Sequence, residues 1–116
     1  MAQSTIHIDV QMDEDRMVET IKWNASDSTV QHPQKAKAMM LSFWDSADKT
    51  ALRIDLWTQK MMVDEMADFY YQTLMTMADT YERATKQTAL VNDMRAFAKE
   101  FYRKFQEQQI KENKAG

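Results

Sequence analysis

Residues 41–57, LSFWDSADKTALRIDLW, decide the fold. Two alternating runs flank the polar stretch Ser46–Lys49, which is the pattern of two strands joined by a turn. With that turn, Phe43 faces Leu52, Leu41 faces Ile54 and Met39 faces Leu56, gathering six apolar side chains on one face. A slip of one residue would set each of them against the other face, so the pattern fixes the register. The reverse face carries Trp44 with Ala51, Ser42 with Arg53, Met40 with Asp55, and Ala38 with Trp57. A sheet solvated on one side is polar there. Two tryptophans and a methionine on that side call for a cover.

Upstream, Ile6, Ile8, Val10 and Met12 alternate with His7, Asp9 and Gln11, as in a half-buried strand. A turn over Asp13–Arg16 and a second strand over 17–25 set Met12 against Met17, Ile8 against Ile21 and Ile6 against Trp23. One pair fits badly in that register, Val10 opposite Glu19. Residues 26–36, SDSTVQHPQKA, hold the only proline and no apolar period, and read as a loop.

Downstream the period becomes helical. Met66, Phe69, Tyr70, Thr73, Leu74, Met77 and Tyr81 share one face, which the spacing assigns to the core. Asp64, Glu65 and Asp68 stand early in this helix and Arg83 and Lys86 late, as the helix dipole favours. TKQTALVND breaks the pattern, and Met94, Phe97, Ala98, Phe101 and Phe105 then mark a second helix. Strands followed by helices give an α+β fold in a single domain, residues 1–116. Its expected sheet is four-stranded and antiparallel, from hairpins at about 5–25 and about 37–58; helices at about 61–85 and about 89–113 cover one face.

Composition removes several classes of function. The chain has no cysteine, which excludes disulfides, thiolate metal sites and cysteine nucleophiles. Its one glycine is Gly116, which excludes phosphate loops, dinucleotide turns and the hydrolase nucleophile elbow. A net charge of −3 gives no basic footprint for nucleic acid. No apolar run reaches the roughly 20 residues of a spanning helix. MAQSTIHIDVQ lacks the cationic and apolar regions of a signal peptide, so a cytoplasmic protein is expected. Residues 89–116 carry six Lys or Arg against four Asp or Glu. That mild excess allows peripheral contact with an anionic membrane, although the interspersed acids suit a solvated helix face better.

No set of residues points to catalysis, a cofactor or a metal, and the chain reads as non-enzymatic. His7 and Asp9 share a strand face in the spacing of a base and its orienter, but no nucleophile accompanies them. His32 lies in the polar loop. Asp64, Glu65 and Asp68 lack the histidines that helical carboxylate metal sites combine with Glu.

What remains is apolar surface. Tyr71, Met75 and Ala78 form a second stripe beside the main face of the first helix. With Met40, Trp44 and Trp57 they make two apolar areas beyond one core. A chain this short has little to fold over both, and residues 26–36 supply only part of it. An interface is the better reading, because contiguous apolar patches mark contact surfaces and tryptophan is enriched at their hot spots. Arg53 and Asp55 would set its specificity. The expected interface is Met40, Trp44, Arg53, Asp55, Trp57, Tyr71 and Met75 in a homo-oligomer.

AKAMMLSFWDS (36–46), LRIDLWTQKMMVDEM (52–66) and QTLMTMADTYERAT (72–85) closely resemble the gliding motility protein GldC family. TIHIDV and IKWNAS fit the family's start, and residues 89–116 match in general character only. The resemblance implies a small cytoplasmic accessory of gliding bacteria, working at or near the inner face of the membrane, with a motility or secretion machinery protein as partner. It brings no catalytic residue and no cofactor. The order of four strands then two helices is also similar to the export chaperone SecB, without shared sequence words. That analogy offers a client-binding chaperone linked to secretion as the alternative function.

Overall fold

The computed structural model describes residues 2–26 and 32–115. They form five strands and two helices, β1 (Ile6–Met12), β2 (Val18–Ala25), β3 (Gln34–Ala36), β4 (Ala38–Asp45), β5 (Thr50–Trp57), α1 (Val63–Thr85) and α2 (Thr88–Ala115). The strands belong to one compact unit, Met1–Met61, and the helices to another, Met62–Gly116. The class is α+β, as the order of elements indicates.

The expected single four-stranded sheet is corrected to two antiparallel sheets, one ordered β1-β2-β3 and one made of β4 and β5. The cause is local. The chain bends at Lys37, so the residues before it pair with β2 and those after it with β5. The supposed loop also contains β3, which sets Ile21 against Ala36 and Trp23 against Gln34. Three residues are too few to show a period. Residues 27–31 of that loop lie outside the described residues.

The β1–β2 register also differs from the expected one. Ile8 pairs with Trp23 and Val10 with Ile21, and a bulge between Gln11 and Met12 then sets Met12 against Val18. The turn explains part of the shift. The Asp13 carboxylate accepts the N–H groups of Asp15 and Met17 at 2.8 and 2.9 Å, closing a loop that Arg16 leaves with φ of 63°. The three-residue loop accounts for one residue of the shift, and the separate bulge at Glu19 accounts for the other. Val10 thereby gains an apolar partner in place of Glu19. Ile21, in the middle strand, is almost wholly buried.

The second hairpin follows the sequence pattern in every pair, from Asp45↔Thr50 to Ala38↔Trp57. Its turn is built like the first. The Asp45 carboxylate accepts the Asp48 N–H at 2.7 Å, the Asp45 carbonyl accepts the Lys49 N–H at 3.0 Å, and Lys49 takes φ of 52°. An aspartate that catches the backbone and a cation in the left-handed region do the work of glycine here.

In the helical unit, Glu65 accepts the Met62 N–H at 3.1 Å to start α1, and Lys86 ends it with φ of 59°. Lys86 donates its N–H to the Glu82 carbonyl at 2.9 Å. Only Lys86 and Gln87 separate the helices, so they pair antiparallel. Ala67 and Ala78 of α1 and Val91 and Ala98 of α2 are buried. These small side chains let the helix axes approach closely.

The most buried line of α1 is this seam and not the centre of the expected core face, where Met66, Phe69, Thr73, Leu74 and Tyr81 are half-buried. The seam runs through Ala67, Tyr71 and Ala78, about one residue step, or 100°, from the centre of the Met66–Tyr81 face. Tyr70 and Met77 of that face are exposed, as is Phe97 on α2. Helix packing here selects small residues over the most apolar stripe.

Candidate functional site

The apolar ribbon of β4 and β5 is the first candidate surface. On one face Phe43, Leu52 and Ile54 are 58%, 54% and 50% exposed. On the other, Trp44 and Trp57 are 69% and 60% exposed, and Met40 between them is half-buried. Exposed aromatic surface on both sides of one hairpin is unusual for a chain that works alone. Arg53 and Asp55 are joined side by side on the tryptophan face at 3.0 and 3.1 Å. A fork-shaped guanidinium on a carboxylate holds both groups in a defined orientation. The surface is thus greasy at its ends and charged, with both signs, at its centre.

The remaining sequence candidates have other places. Tyr71 lies against Tyr102 of α2, ring centroids 5.0 Å apart, and Ala78 is wholly buried in the helix seam. Their stripe therefore serves the helix pair, and Met75 beside it is half-buried. Spacing alone could not separate the two stripes of α1. The alanines at 67, 78 and 98 were the signal for the seam, because only small residues suit a close crossing.

Polar groups settle around that seam. Arg95 reaches across to Asp79 at 2.7 Å and Glu82 at 3.3 Å, and these acids raise its pKa. The neighbouring Asp68 carboxylate, with some desolvation, holds the Tyr102 phenol above its ordinary value. On α2, Arg103 bridges Glu100 and Glu107 and lowers the Glu100 carboxyl. Arg95, Arg103 and Lys104 of this helix thus sit among acids.

The early acids of α1 are occupied as well. Glu65 accepts the Met62 N–H, Asp64 accepts the Glu65 N–H at 2.9 Å, and Asp68 acts on the Tyr102 phenol. His7 and Asp9 are in contact at 3.1 Å on an exposed strand face. His32 is exposed in its loop. Among the described residues no three His, Cys, Asp or Glu are placed to hold a metal ion, and no helix is long and apolar enough to cross a membrane.

A second apolar surface, which the sequence pattern assigned to the core, lies on the helix pair. Met77, Tyr81, Ala84 and Met94 line a shallow hollow of about 410 Å³. Tyr70, Leu90 and Phe97 are exposed on the same helices.

No curated protein and no solved structure matches the chain. A family model does, over residues 18–107, under the description gliding motility-associated protein GldC-like. The matched span takes in β2 to β5, all of α1 and most of α2. The chain belongs to this GldC-like family, and gliding motility is the setting in which its surfaces are to be understood.

Proposed function

We propose that this protein is a non-enzymatic accessory of the gliding apparatus that acts through self-association and protein–protein contact. Met40, Trp44, Arg53, Asp55 and Trp57 carry the contact. The observation behind the reading is the pair of exposed indoles on a hairpin whose opposite face is also apolar. Buried tryptophans dominate interface energetics, and each hot-spot truncation costs about 2 kcal/mol or more. Opposite charges at the centre fix orientation more than they add affinity. The cytoplasm, with contact at the inner face of the membrane, is the setting proposed.

The test is the mass of a Trp44→Ser/Trp57→Ser variant by light scattering, with far-ultraviolet circular dichroism as the check on folding. The reading expects self-association weakened by at least about a hundredfold, since every 1.4 kcal/mol is a factor of ten. Unchanged mass in a folded variant defeats it.

A second reading, a chaperone that holds unfolded clients, is favoured by the exposed helix face of Tyr70, Met77, Leu90 and Phe97. Methionine-rich apolar surface adapts to varied sequences. It predicts that the protein suppresses aggregation of a thermally unfolding client, and that Tyr70→Ser/Phe97→Ser abolishes this. A scaffold gives no such protection.

A further inference from the structure

Self-association through the β4–β5 ribbon leaves open how two copies meet, and the outer edge of β5 supplies an answer. Among the described residues β5 pairs with β4 alone. It runs for eight residues, TALRIDLW, without proline, glycine or bulge. Such an edge offers a row of backbone donors and acceptors to another strand. The outer edge of β4, Ala38–Asp45, is equally long but carries no pair of opposite charges to fix a register. β1 pairs regularly only over Ile6–Gln11, and β3 has three residues.

The backbone limits how a second β5 can add. Thr58 donates its N–H to the Lys37 carbonyl at 2.7 Å, at the next step beyond the Ala38↔Trp57 pair. Hydrogen-bonded and non-hydrogen-bonded pairs alternate along an antiparallel ladder. Even-numbered residues of β5 therefore turn their amides toward β4, and Ala51, Arg53, Asp55 and Trp57 turn theirs outward. In a two-fold pairing outward residues must meet outward residues, so the axis has to pass beside a residue and not between two.

Charge then selects the residue. An axis at Arg53 sets one guanidinium on its own copy, and an axis at Asp55 does the same with two carboxylates. Like charges directly opposed are unfavourable. An axis at Ile54 sets Arg53 opposite Asp55 of the second copy, twice over. It also sets Leu52 opposite Leu56, and Ala51 opposite Trp57. Trp44 already lies beside Ala51 within each chain. The row across the joined sheet thus reads Trp44, Ala51, then Trp57 of the second copy, with the small residue leaving room for both rings. Axes farther from Ile54 shorten the overlap.

Resting on the self-association proposed above, we propose that two copies of this chain join β5 to β5, antiparallel about Ile54, into a four-stranded β4-β5-β5-β4 sheet. The register buries the indoles of each copy beside the other and makes the Arg53–Asp55 pairs an alternating square of four charges. Both apolar faces become continuous across the dimer.

The test uses the full chain with Arg53→Asp and Asp55→Arg, separately and mixed. Each variant alone meets its copy with like charges and is expected to dimerise about tenfold or more weakly than the parent. Mixed in equal amounts they are expected to form a heterodimer, because aspartates of one chain then face arginines of the other. Repair of the ion pair within a chain cannot produce that rescue, since neither variant contains both signs at these positions. Retained homodimers, or no heterodimer on mixing, overturn the register.

Cysteine placement gives an independent readout in a chain that has none. Ile54 faces its own copy as a close pair, about 4.5 Å between Cα atoms, within reach of a disulfide. Ile54→Cys is expected to form a disulfide dimer on mild oxidation, faster than Ile8→Cys on β1. The reverse order overturns the inference in favour of the β1 edge. If these tests fail while Trp44→Ser/Trp57→Ser still dissociates the protein, the register is wrong and self-association stands. A chain that is monomeric throughout removes both.

Discussion

Among the described residues three backbone positions lie in the left-handed region, and each is held by a long cation: Arg16, Lys49 and Lys86, with φ of 63°, 52° and 59°. Replacing Lys49 by glycine isolates the cost of that choice in the hairpin that carries the proposed interface. For a residue with a Cβ the conformation costs about 1–2 kcal/mol. Glycine removes that cost but loses about 0.5–1 kcal/mol more entropy on folding. The hydrogen bonds of the turn come from Asp45 and the backbone, so the substitution leaves them in place. The difference is a net gain of about 0.5–1 kcal/mol, or about 2–4 °C in Tm for a chain of this size. Lys86 provides the internal comparison. It caps α1, where a cation also favours the helix end by about 0.3–1 kcal/mol, so Lys86→Gly should be close to neutral. The assay is urea unfolding of both variants at one fixed protein concentration, since association shifts apparent stability. A loss of stability in Lys49→Gly, or a larger gain in Lys86→Gly, refutes the reasoning.

Ile21→Ala should cost about 2–4 kcal/mol in urea unfolding, because Ile21 is almost wholly buried in the middle strand of its sheet. Ala98→Leu should cost about 1–3 kcal/mol by overfilling the helix seam, seen as a lower Tm in the helical signal. Alkaline unfolding should report Tyr102, whose pKa is raised by the neighbouring Asp68 carboxylate. That contribution is complete below the ordinary phenol value near about 10 and is lost as pH rises through the raised one, so Tyr102→Phe should flatten the alkaline limb. Glu100 acts with the opposite sign. Its pKa is lowered by Arg103, so its contribution holds above the ordinary carboxylate value and fades as pH falls through the lowered one.

The β4–β5 hairpin was fully legible because both of its faces constrain it. Six apolar residues on one side and two indoles on the other leave one acceptable register. β1–β2 was legible as a hairpin but not in register, since Asp13 closes a shorter loop than the acidic run suggests and a separate bulge falls at Glu19. β3 is too short for any period, and the bend at Lys37 that divides the sheet leaves no mark in composition. The helices were evident in extent. Their mutual face was not, because Ala67, Ala78 and Ala98 have little hydrophobic weight yet permit the closest approach. Of the expected interface, the tryptophans, Met40, Arg53 and Asp55 fall on one hairpin face, whereas Tyr71 turns to its neighbouring helix.

Sedimentation equilibrium of the unmodified protein over a wide concentration range tests the central claim most directly. A hairpin with two exposed apolar faces predicts a mass that rises from 13.7 kDa to at least twice that value as concentration increases. A folded, cooperatively unfolding protein that stays at 13.7 kDa at every concentration contradicts it.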